Sequence, residues 1–285
     1  MIPAPFDYLA PESVEEVLAA LAESGDDAKV LAGGQSLLPV LRLRLNAPEK
    51  IIDIGRIPAL REIHEDGEYL AIGAMATHDD VLHNALVTEH ALLLHKTLVE
   101  VADPQIRHRG TVGGALVHAD PAGDLGAAAL ALDAELVIAG PGGATRTVAA
   151  KDFFVDIFET AVQDGELLTQ IRIPKHTGWR AHYEKFVRVA HQWAIVAVAA
   201  TVRMDGGTIS EARVALTNMG STPVRAASVE RALVGKPATD DGVREAATLA
   251  AEGTSPPSDL NGDAAYRKHL AGVLTRRAVL AAAGE

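Results

Sequence analysis

Two short glycine-rich loops are the features of this 285-residue sequence that most restrict how it can fold. The first, at 32–36, reads Ala-Gly-Gly-Gln-Ser and joins a predicted strand at 29–32 to a predicted helix at 37–45 that Ser36 caps. Paired glycines allow positive φ angles and let another molecule approach the backbone closely. Because the first helical turn carries free N–H groups and the positive end of the helix dipole, the loop predicts a diphosphate site. A tight turn without a ligand is the alternative interpretation.

The second loop, at 109–115, reads Arg-Gly-Thr-Val-Gly-Gly-Ala. Neither loop has the G-x-G-x-x-G pattern of Rossmann folds or the G-x-x-x-x-G-K-S/T pattern of P-loops, so both of those folds are excluded. We expect the two loops together to hold one diphosphate from opposite sides through their backbone groups.

Patterns of apolar residues divide the chain into three predicted domains, 1–56, 57–176 and 177–285. In the first domain, Ser13 and Glu16 have the spacing of a capping box, and Gly25 follows the apolar positions of the helix as its end. A strand at 50–54 completes a predicted unit of strand, helix, strand, helix and strand.

The second and third predicted domains have different patterns. The second mixes helices with strands: strand 69–72, helices 78–83, 89–102 and 125–132, strands 135–139 and 146–148, and a strand ending at Pro174. The third has three antiparallel strands, with a hairpin turn at Asp205-Gly206-Gly207, and then helices. Its expected elements are strands 181–189, 194–204 and 208–217 and helices 228–233, 240–251 and 266–283.

Composition excludes several classes of function. The sequence contains no cysteine, so disulfides, thiolate catalysis, cysteine-bound zinc and iron–sulfur clusters are excluded within this chain. A net charge of -12 disfavours nucleic acids and anionic membranes as partners. The first residues lack the pattern of an export signal, and the longest apolar stretch, 194–202, is too short to span a bilayer. We therefore expect a cytoplasmic protein without a membrane span.

Catalytic motifs are missing from the sequence. It contains no H-E-x-x-H metal motif and no G-x-S-x-G nucleophile elbow, and its spacing predicts no metal site and no acid–base pair. Asp124 precedes a predicted helix, where it is either the N-cap or a carboxylate that accepts hydrogen bonds from a ribose or a flavin N–H. A protein that positions a redox cofactor does not need a catalytic base of its own.

Several short segments, in their order and spacing, resemble the FAD-binding medium subunit of the molybdenum hydroxylases, the carbon monoxide dehydrogenase and xanthine dehydrogenase family. The resemblance covers nearly the whole chain. Its segments are Phe6-Asp7-Tyr8, the Ala-Gly-Gly-Gln-Ser-Leu-Leu-Pro run at 32–39, the Ile-Gly-Ala-Met-Ala-Thr-His run at 72–78, 109–114, His118-Ala119-Asp120-Pro121 and Ile171-Arg172-Ile173-Pro174.

This resemblance implies an α+β protein with the vanillyl-alcohol-oxidase-like (PCMH-type) FAD-binding fold of two subdomains. A C-terminal domain of three antiparallel strands and a helical bundle is expected to follow. It also implies FAD in this chain, [2Fe-2S] clusters in a small iron–sulfur subunit and molybdopterin in a large subunit, assembled as a dimer of heterotrimers. The chain would then pass electrons from the clusters through FAD to an external acceptor. A self-sufficient flavin-dependent oxidoreductase and a non-enzymatic nucleotide-binding or scaffold protein are the alternatives.

The resemblance also assigns cofactor-binding residues by position, in three groups. Those on the adenine or ribose side are Lys29, Val30, Leu31 and Ala32, and those at the diphosphate are Gly33, Gly34, Gln35 and Ser36, followed by Leu37. Val101 and Ala102 are expected to pack on the cofactor. The second clamp comprises Thr111, Gly114 and Ala115, and His118 and Asp124 are expected to lie beside it. The residues expected to approach the flavin ring are Leu168, Lys185 and Trp193.

Two of these positions depart from the family pattern. Ala115 stands where relatives commonly have Asn or Ser, so only its backbone N–H is expected to remain for binding. Trp193 stands where the carbon monoxide enzymes have Tyr, which keeps an aromatic wall and removes a phenol. A residue in the core of the third domain is the alternative for Trp193.

Overall fold

The structure is a computed structural model that describes residues 2–284. Met1 and Glu285, the outer limits of the first and third predicted domains, lie outside the described residues. Three sheets follow one another along this part of the chain, with three, five and four strands, and a separate two-stranded hairpin lies near the second.

The first sheet is parallel and has the strand order β1-β3-β2. Its elements are β1 (Asp7–Leu9), α1 (Val14–Ser24), β2 (Ala28–Leu31), α2 (Leu37–Arg42) and β3 (Lys50–Asp53). The Ser13 side chain caps α1 as predicted, and Gly25, with φ +54°, ends it. The capping box itself is incomplete, because the Glu16 carboxylate accepts from the N–H of Glu12 at 2.9 Å and not from that of Ser13.

Helix α2 is shorter than predicted and is capped differently. It ends at Arg42 rather than at Leu45, and Arg44 adopts a left-handed φ of +55° that cannot continue a helix. The Ser36 side chain makes no capping hydrogen bond. The hydroxyl of Ser36 is therefore not used by the helix that it precedes.

The second sheet is antiparallel, with the order β4-β5-β10-β6-β7. The elements of this part of the chain, including the separate hairpin of β8 and β9, are β4 (Ile63–Asp66), β5 (Tyr69–Gly73), α3 (His78–Leu82), α4 (Ala85–His90), α5 (Leu92–Val99), α6 (Pro104–Arg107), α7 (Val112–His118), α8 (Asp124–Ala131), β6 (Glu135–Ala139), β7 (Thr145–Ala149), α9 (Ala150–Phe153), β8 (Phe154–Asp156), β9 (Glu159–Thr160) and β10 (Leu167–Pro174). The sequence did not predict β4.

The helix predicted at 89–102 is wrong as a single element. The chain there forms α4 and α5, separated at Ala91, whose φ of -141° lies outside the helical region. Thr97 is buried in α5 and donates its hydroxyl to the carbonyl of Leu93 at 2.8 Å, so α5 packs as a short core helix.

The third sheet packs between helices of the preceding part of the chain and the C-terminal helices. It comprises β11 (Arg180–Phe186), β12 (Val196–Asp205), β13 (Thr208–Thr217) and a two-residue fourth strand, β14 (Val224–Arg225), all antiparallel, followed by α10 (Ala227–Leu233), α11 (Asp240–Ala247) and α12 (Ala264–Gly284). Alternate residues of β12 face opposite sides: Ala197 and Ala199 pack with α5 and α8, and Val196 and Val198 pack with the C-terminal helices. Both faces of this sheet are therefore buried.

The predicted α+β architecture and the C-terminal antiparallel strands with helices are confirmed, with β14 as an addition. The domain limits at 56/57 and 176/177 stay predictions. Within residues 2–284, no helix is long and apolar enough to cross a membrane. The same part of the chain contains no group of three or more His, Asp and Glu side chains that could hold a metal ion.

Candidate cofactor site

The two glycine loops meet in the structure. A Cβ atom on Gly33 would overlap the carbonyl oxygen of Arg109 and lie 2.8 Å from the Cα of Gly110. A Cβ on Gly114 would lie 3.5 Å from the Cβ of Ala32. Glycine is needed at position 33 because the two backbones are in direct contact there, and the fold thus brings the two predicted loops together.

The first loop has backbone donors that the protein does not use. In the part of the chain that the structure describes, the N–H groups of Gly33, Gly34, Gln35 and Ser36 have no hydrogen-bond acceptor. Gly34 has a φ of +78°, which a glycine adopts without strain. Successive free N–H groups in such a turn form a concave site for an anion. This loop therefore fits a diphosphate.

The second loop differs, because most of its N–H groups are already paired. The N–H groups of Val112 and Gly113 donate to the carbonyls of Ala76 and Ala74 at 3.1 and 3.0 Å. The N–H of Gly114 donates to the Thr111 hydroxyl at 3.1 Å, and that of Ala115 donates to the Thr111 carbonyl at 3.0 Å. The expectation that the N–H of Ala115 stays available is wrong, because it forms a bond of helix α7.

His78 forms a buried support behind the second loop. Its backbone N–H donates to the carbonyl of Gly110 at 2.9 Å, and a Cβ on Gly110 would lie 2.8 Å from the His78 ring. Burial, with a smaller effect of Arg107, lowers the pKa of His78 from 6.5 to about 4. The ring is therefore neutral at pH 7, and its Nδ1 atom has no hydrogen-bond partner in the described residues.

Asp124 is not the N-cap of α8; that position is taken by Gly123, and Asp124 is the first helical residue. Its carboxylate is buried and accepts from the Tyr183 hydroxyl at 2.7 Å and from Nζ of Lys185 at 2.9 Å. Burial raises the pKa of the Asp124 carboxyl, and the contacts with Lys185 and Tyr183 oppose that rise. Asp124 and Lys185 therefore form a buried ion pair between α8 and β11.

The segment that carries Val101 and Ala102 is held by side chains from three places. Arg107 donates to the carbonyls of Val99 and Val101, Lys185 donates to that of Glu100, and Nδ1 of His191 lies 3.1 Å from that of Ala102. Ala102 has a left-handed φ of +43°, which is strained for a residue with a Cβ. These contacts fix the position of the two residues predicted to pack on the cofactor.

Trp193 is 55% exposed, so the alternative that it belongs to the core of the third domain is wrong. It lines a cavity of about 440 Å³ together with residues of 120–122, 218–221 and 255–261 and with Ile157. His118 lies close to the same region, since its ring packs against that of Phe158 with 5.1 Å between centroids and Phe158 is next to Ile157. Burial lowers the pKa of His118, which favours its neutral form.

The remaining predicted residues occupy two different environments. Leu168 is 3% exposed in β10 and packs in the core of the second domain. Lys29 is exposed on β2, and Val30 and Leu31 continue that strand into the first loop with half-buried side chains. Leu37 is half-buried at the start of α2. Of these residues, Leu168 is the one that the fold places away from any open surface.

The sequence analysis assigned no role to Tyr183, His78 or Arg107. Tyr183 lies two residues before Lys185, so both side chains point to the same face of β11, and this spacing is the signal that relates them. His78 contacts the second loop at Gly110, and Arg107 contacts the carbonyls of Val99 and Val101, and the sequence carries no comparable signal for these contacts.

The protein also matches known families and known structures. Residues 4–176 match the family described as "FAD binding domain in molybdopterin dehydrogenase", and residues 181–282 match the "CO dehydrogenase flavoprotein C-terminal domain". The carbon monoxide dehydrogenase medium chain of Hydrogenophaga pseudoflava is 42% identical over 285 residues, which covers 99% of this chain and 98% of that protein. The glyceraldehyde dehydrogenase medium chain of Sulfolobus acidocaldarius is 37% identical over 278 residues, with 98% of both chains covered.

Among solved structures, reconstituted CO dehydrogenase from Oligotropha carboxidovorans contains a chain that superposes with a TM-score of 0.96. That chain is 39% identical, and the match covers 100% of this protein and 99% of that chain. The predicted FAD-binding fold and its C-terminal domain are thereby confirmed. The protein therefore belongs to the FAD-binding medium subunits of the molybdenum hydroxylases, the oxidoreductase family of carbon monoxide dehydrogenase and xanthine dehydrogenase.

Proposed function

We propose that this chain is the FAD-binding electron-transfer subunit of a multi-subunit molybdenum hydroxylase in the cytoplasm. Its partners are a small iron–sulfur subunit and a large molybdopterin subunit, in a dimer of heterotrimers. When bound, FAD supplies an electron carrier between the [2Fe-2S] clusters of the small subunit and an external acceptor. The residues of this chain bind and orient that cofactor.

The observation that carries the proposal is the row of unused N–H groups at Gly33, Gly34, Gln35 and Ser36. Backbone donors are preorganised, carry no positive charge of their own and need no side-chain entropy to bind an anion. At Gly33 the loop rests on the backbone of Arg109 and Gly110. A diphosphate group supplies the acceptors that these donors lack.

The other contacts that we propose are those that the family resemblance implies. The strand residues Lys29, Val30, Leu31 and Ala32 approach the adenine or ribose side, and Leu37 follows the diphosphate segment. Thr111, Gly114 and Ala115 form a wall behind the diphosphate rather than a second set of donors, because Gly114 and Ala115 use their N–H groups within α7. On the side of the flavin ring we propose Val101, Ala102, His118, Asp124, Lys185 and Trp193, with Leu168 behind them in the core.

Two observations support the assignment of the iron–sulfur clusters and of substrate choice to other subunits. This sequence contains no cysteine, so it cannot hold an iron–sulfur cluster by thiolates. Relatives of similar overall identity carry the names of carbon monoxide and glyceraldehyde dehydrogenases, although both are medium chains. We therefore assign the choice of substrate to the large subunit.

The proposal is tested by purifying the tagged chain from its source cells and identifying the subunits that remain bound. We expect a small subunit with [2Fe-2S] signals in electron paramagnetic resonance, a large molybdenum-containing subunit and one FAD per chain. Substrate should bleach the flavin absorbance of the complex and leave that of the isolated, FAD-loaded chain unchanged. Bleaching of the isolated chain would instead support a self-sufficient oxidoreductase. A chain that binds no FAD on titration would support a nucleotide-binding or scaffold protein.

A further inference from the structure

Two side chains of β11 donate to opposite oxygens of one buried carboxylate. The hydroxyl of Tyr183 donates to Oδ1 of Asp124 at 2.7 Å, and Nζ of Lys185 donates to Oδ2 at 2.9 Å. The side chains of Lys185 and Asp124 are 6% and 5% exposed. Each oxygen of the carboxylate therefore has its own donor, one of them neutral and the other charged.

The hydroxyl of Tyr183 is not needed to fill the core. The Tyr183 ring is buried in the same apolar cluster as Ala197 and Ala199 of β12, where a phenylalanine ring would occupy the same space without needing a polar partner. Burial and the negative charge of Asp124 raise the pKa of the Tyr183 hydroxyl well above its ordinary value. The hydroxyl therefore stays protonated, and its contribution is the hydrogen bond that it donates to Asp124.

Lys185 divides its N–H groups between two acceptors. Besides Asp124, it donates to the carbonyl of Glu100 at 3.0 Å, next to Val101 and Ala102. An ammonium group has three N–H donors, and within residues 2–284 the third has no acceptor. A nearly buried charged donor without an acceptor is unfavourable, so the third N–H indicates an acceptor that a ligand supplies.

The number of donors on Asp124 determines how Lys185 can be shared. Because Tyr183 occupies Oδ1, Lys185 has to satisfy only Oδ2, and two of its N–H groups stay available for other acceptors. Without the hydroxyl, both oxygens of the buried carboxylate would compete for the ammonium group, since a buried charge without partners is costly. We therefore expect loss of the hydroxyl to draw Lys185 toward Asp124 and away from its other acceptors.

We propose that Tyr183 is a positioning residue for the flavin, an inference that rests on the proposed function. It acts through Asp124 on Lys185, whose third N–H is thereby left for an acceptor atom of the flavin ring. A preorganised cationic donor stabilises negative charge that develops on a reacting group, so Lys185 in this position favours the reduced form of the ring. The hydroxyl of Tyr183 therefore raises the reduction potential of the bound FAD.

The test is Tyr183→Phe, which removes the hydroxyl and keeps the ring. In the purified complex, the affinity for reduced FAD relative to oxidised FAD should fall about tenfold, as expected when a hydrogen bond from a charged group is lost. This lowers the two-electron reduction potential by about 30 mV, which a spectroscopic redox titration of the flavin measures. FAD content should stay at the wild-type level, because the loop at 33–36 is unchanged.

Three results for this variant would overturn the inference. An unchanged potential, with or without a lower thermal midpoint, would mean that the hydroxyl serves the fold alone. A raised potential would contradict the expected movement of Lys185. Loss of FAD would assign the hydroxyl to cofactor binding rather than to the potential. If the wild-type complex itself contained no FAD, the proposed function would fail together with the inference.

Tyr69→Phe is the matched control, because the Tyr69 hydroxyl also donates to a carboxylate, that of Glu135, at 3.1 Å. Tyr69 is the first residue of β5 and outside the proposed site. The control should leave the potential unchanged, and an equal shift in the Tyr69 and Tyr183 variants would overturn the inference.

Asp124→Asn tests the route through which Tyr183 acts. Asparagine keeps the size of the side chain and removes the charge that Tyr183 and Lys185 share. In this background, Tyr183→Phe should change the relative affinity for reduced FAD by at most about twofold, because the coupling between the residues is lost. The full tenfold effect in the Asp124→Asn background would show that Tyr183 acts independently of Asp124 and would overturn the inference.

Discussion

The loops at 32–36 and 109–115 look alike in sequence, since each contains Gly-Gly and precedes a helix. They differ in whether their backbone N–H groups are hydrogen-bonded within the protein. The first leaves the N–H groups of Gly33, Gly34, Gln35 and Ser36 without acceptors within residues 2–284. The second uses its N–H groups inside the protein, so that its glycines allow close packing. A Gly-Gly pair therefore indicates close approach of some group, and the hydrogen bonds decide whether that group is a ligand or the protein itself.

Because of this difference, substitutions in the two loops should affect different quantities, FAD affinity and stability. Substitutions in the first loop should act mainly on FAD affinity, because its N–H groups make no hydrogen bonds within residues 2–284. Gly33 is the exception, because any side chain there also meets the backbone of Arg109 and lowers stability as well. Substitutions in the second loop should act mainly on stability, because its backbone bonds join the start of α7 to Ala74 and Ala76, which follow β5. Measuring both quantities for matched variants tests the distinction.

The largest effect is expected for Gly33→Asp. The new side chain would separate the first loop from the backbone of Arg109 and place a carboxylate beside the proposed diphosphate. Like-charge contact costs several kcal/mol, so FAD retention should be abolished, with affinity at least about 100-fold lower. Gly206→Asp is the control, because Gly206 is in an open hairpin turn. Undiminished FAD content in Gly33→Asp would contradict the assignment of this loop.

Acid should weaken the support behind the second loop through His78. Because the pKa of His78 is lowered from 6.5 to about 4 by burial, the unfolded chain binds a proton in this window that the folded chain does not. Stability should therefore fall from pH 6.5 to about 4 and then level off, by about 3 kcal/mol from this group. The free energy of unfolding of His78→Gln should depend correspondingly less on pH. Parallel curves for the two proteins would show that His78 protonates freely in the fold.

Gly113→Ala should destabilise the protein more than it affects binding by the folded fraction. Its Cβ would lie 2.5 Å from the carbonyl oxygen of Ala74, and overpacking of this kind costs about 1–3 kcal/mol. Urea denaturation should show the loss. Gly140→Ala, whose Cβ would have its nearest neighbour at 3.7 Å, should change stability by no more than about 0.5 kcal/mol. Equal stability of Gly113→Ala and Gly140→Ala would contradict the assignment of a packing role to Gly113.

The smallest effects are expected for the hydroxyl pair Thr111→Ala and Ser36→Ala. Thr111 caps α7 by accepting from the N–H of Gly114, so its loss should cost about 1 kcal/mol of stability. Ser36 makes no capping bond, so its loss should leave stability within about 0.5 kcal/mol but lower FAD affinity about tenfold. A loss of stability in Ser36→Ala, or no loss in Thr111→Ala, would contradict the proposed difference between the two loops.

Elements determined by neighbouring residues were predictable. Gly25 ends α1 with a positive φ, and the Asp205-Gly206-Gly207 turn joins β12 and β13, as glycine chemistry predicts. The break at Ala91 was not predictable, because 89–102 contains neither Gly nor Pro to mark it, although α4 and α5 pack against each other across it.

The candidate site was predictable as a set of positions rather than as a set of contacts. Asp124 was recognised as important, but its partners Tyr183 and Lys185 come from β11 and meet it only through the packing of the third sheet on α8. The free or paired state of each loop N–H depends in the same way on distant carbonyls such as that of Ala74. Local sequence carries no signal for either.

The most direct test of the central claim is amide hydrogen exchange of the chain with and without FAD. Free N–H groups exchange rapidly, so binding of a diphosphate should slow exchange at 33–36 by at least about tenfold. The already paired N–H groups of Gly113, Gly114 and Ala115 should change much less. Unchanged exchange at 33–36, with new protection confined to 113–115, would contradict the assignment of the first loop as the diphosphate site.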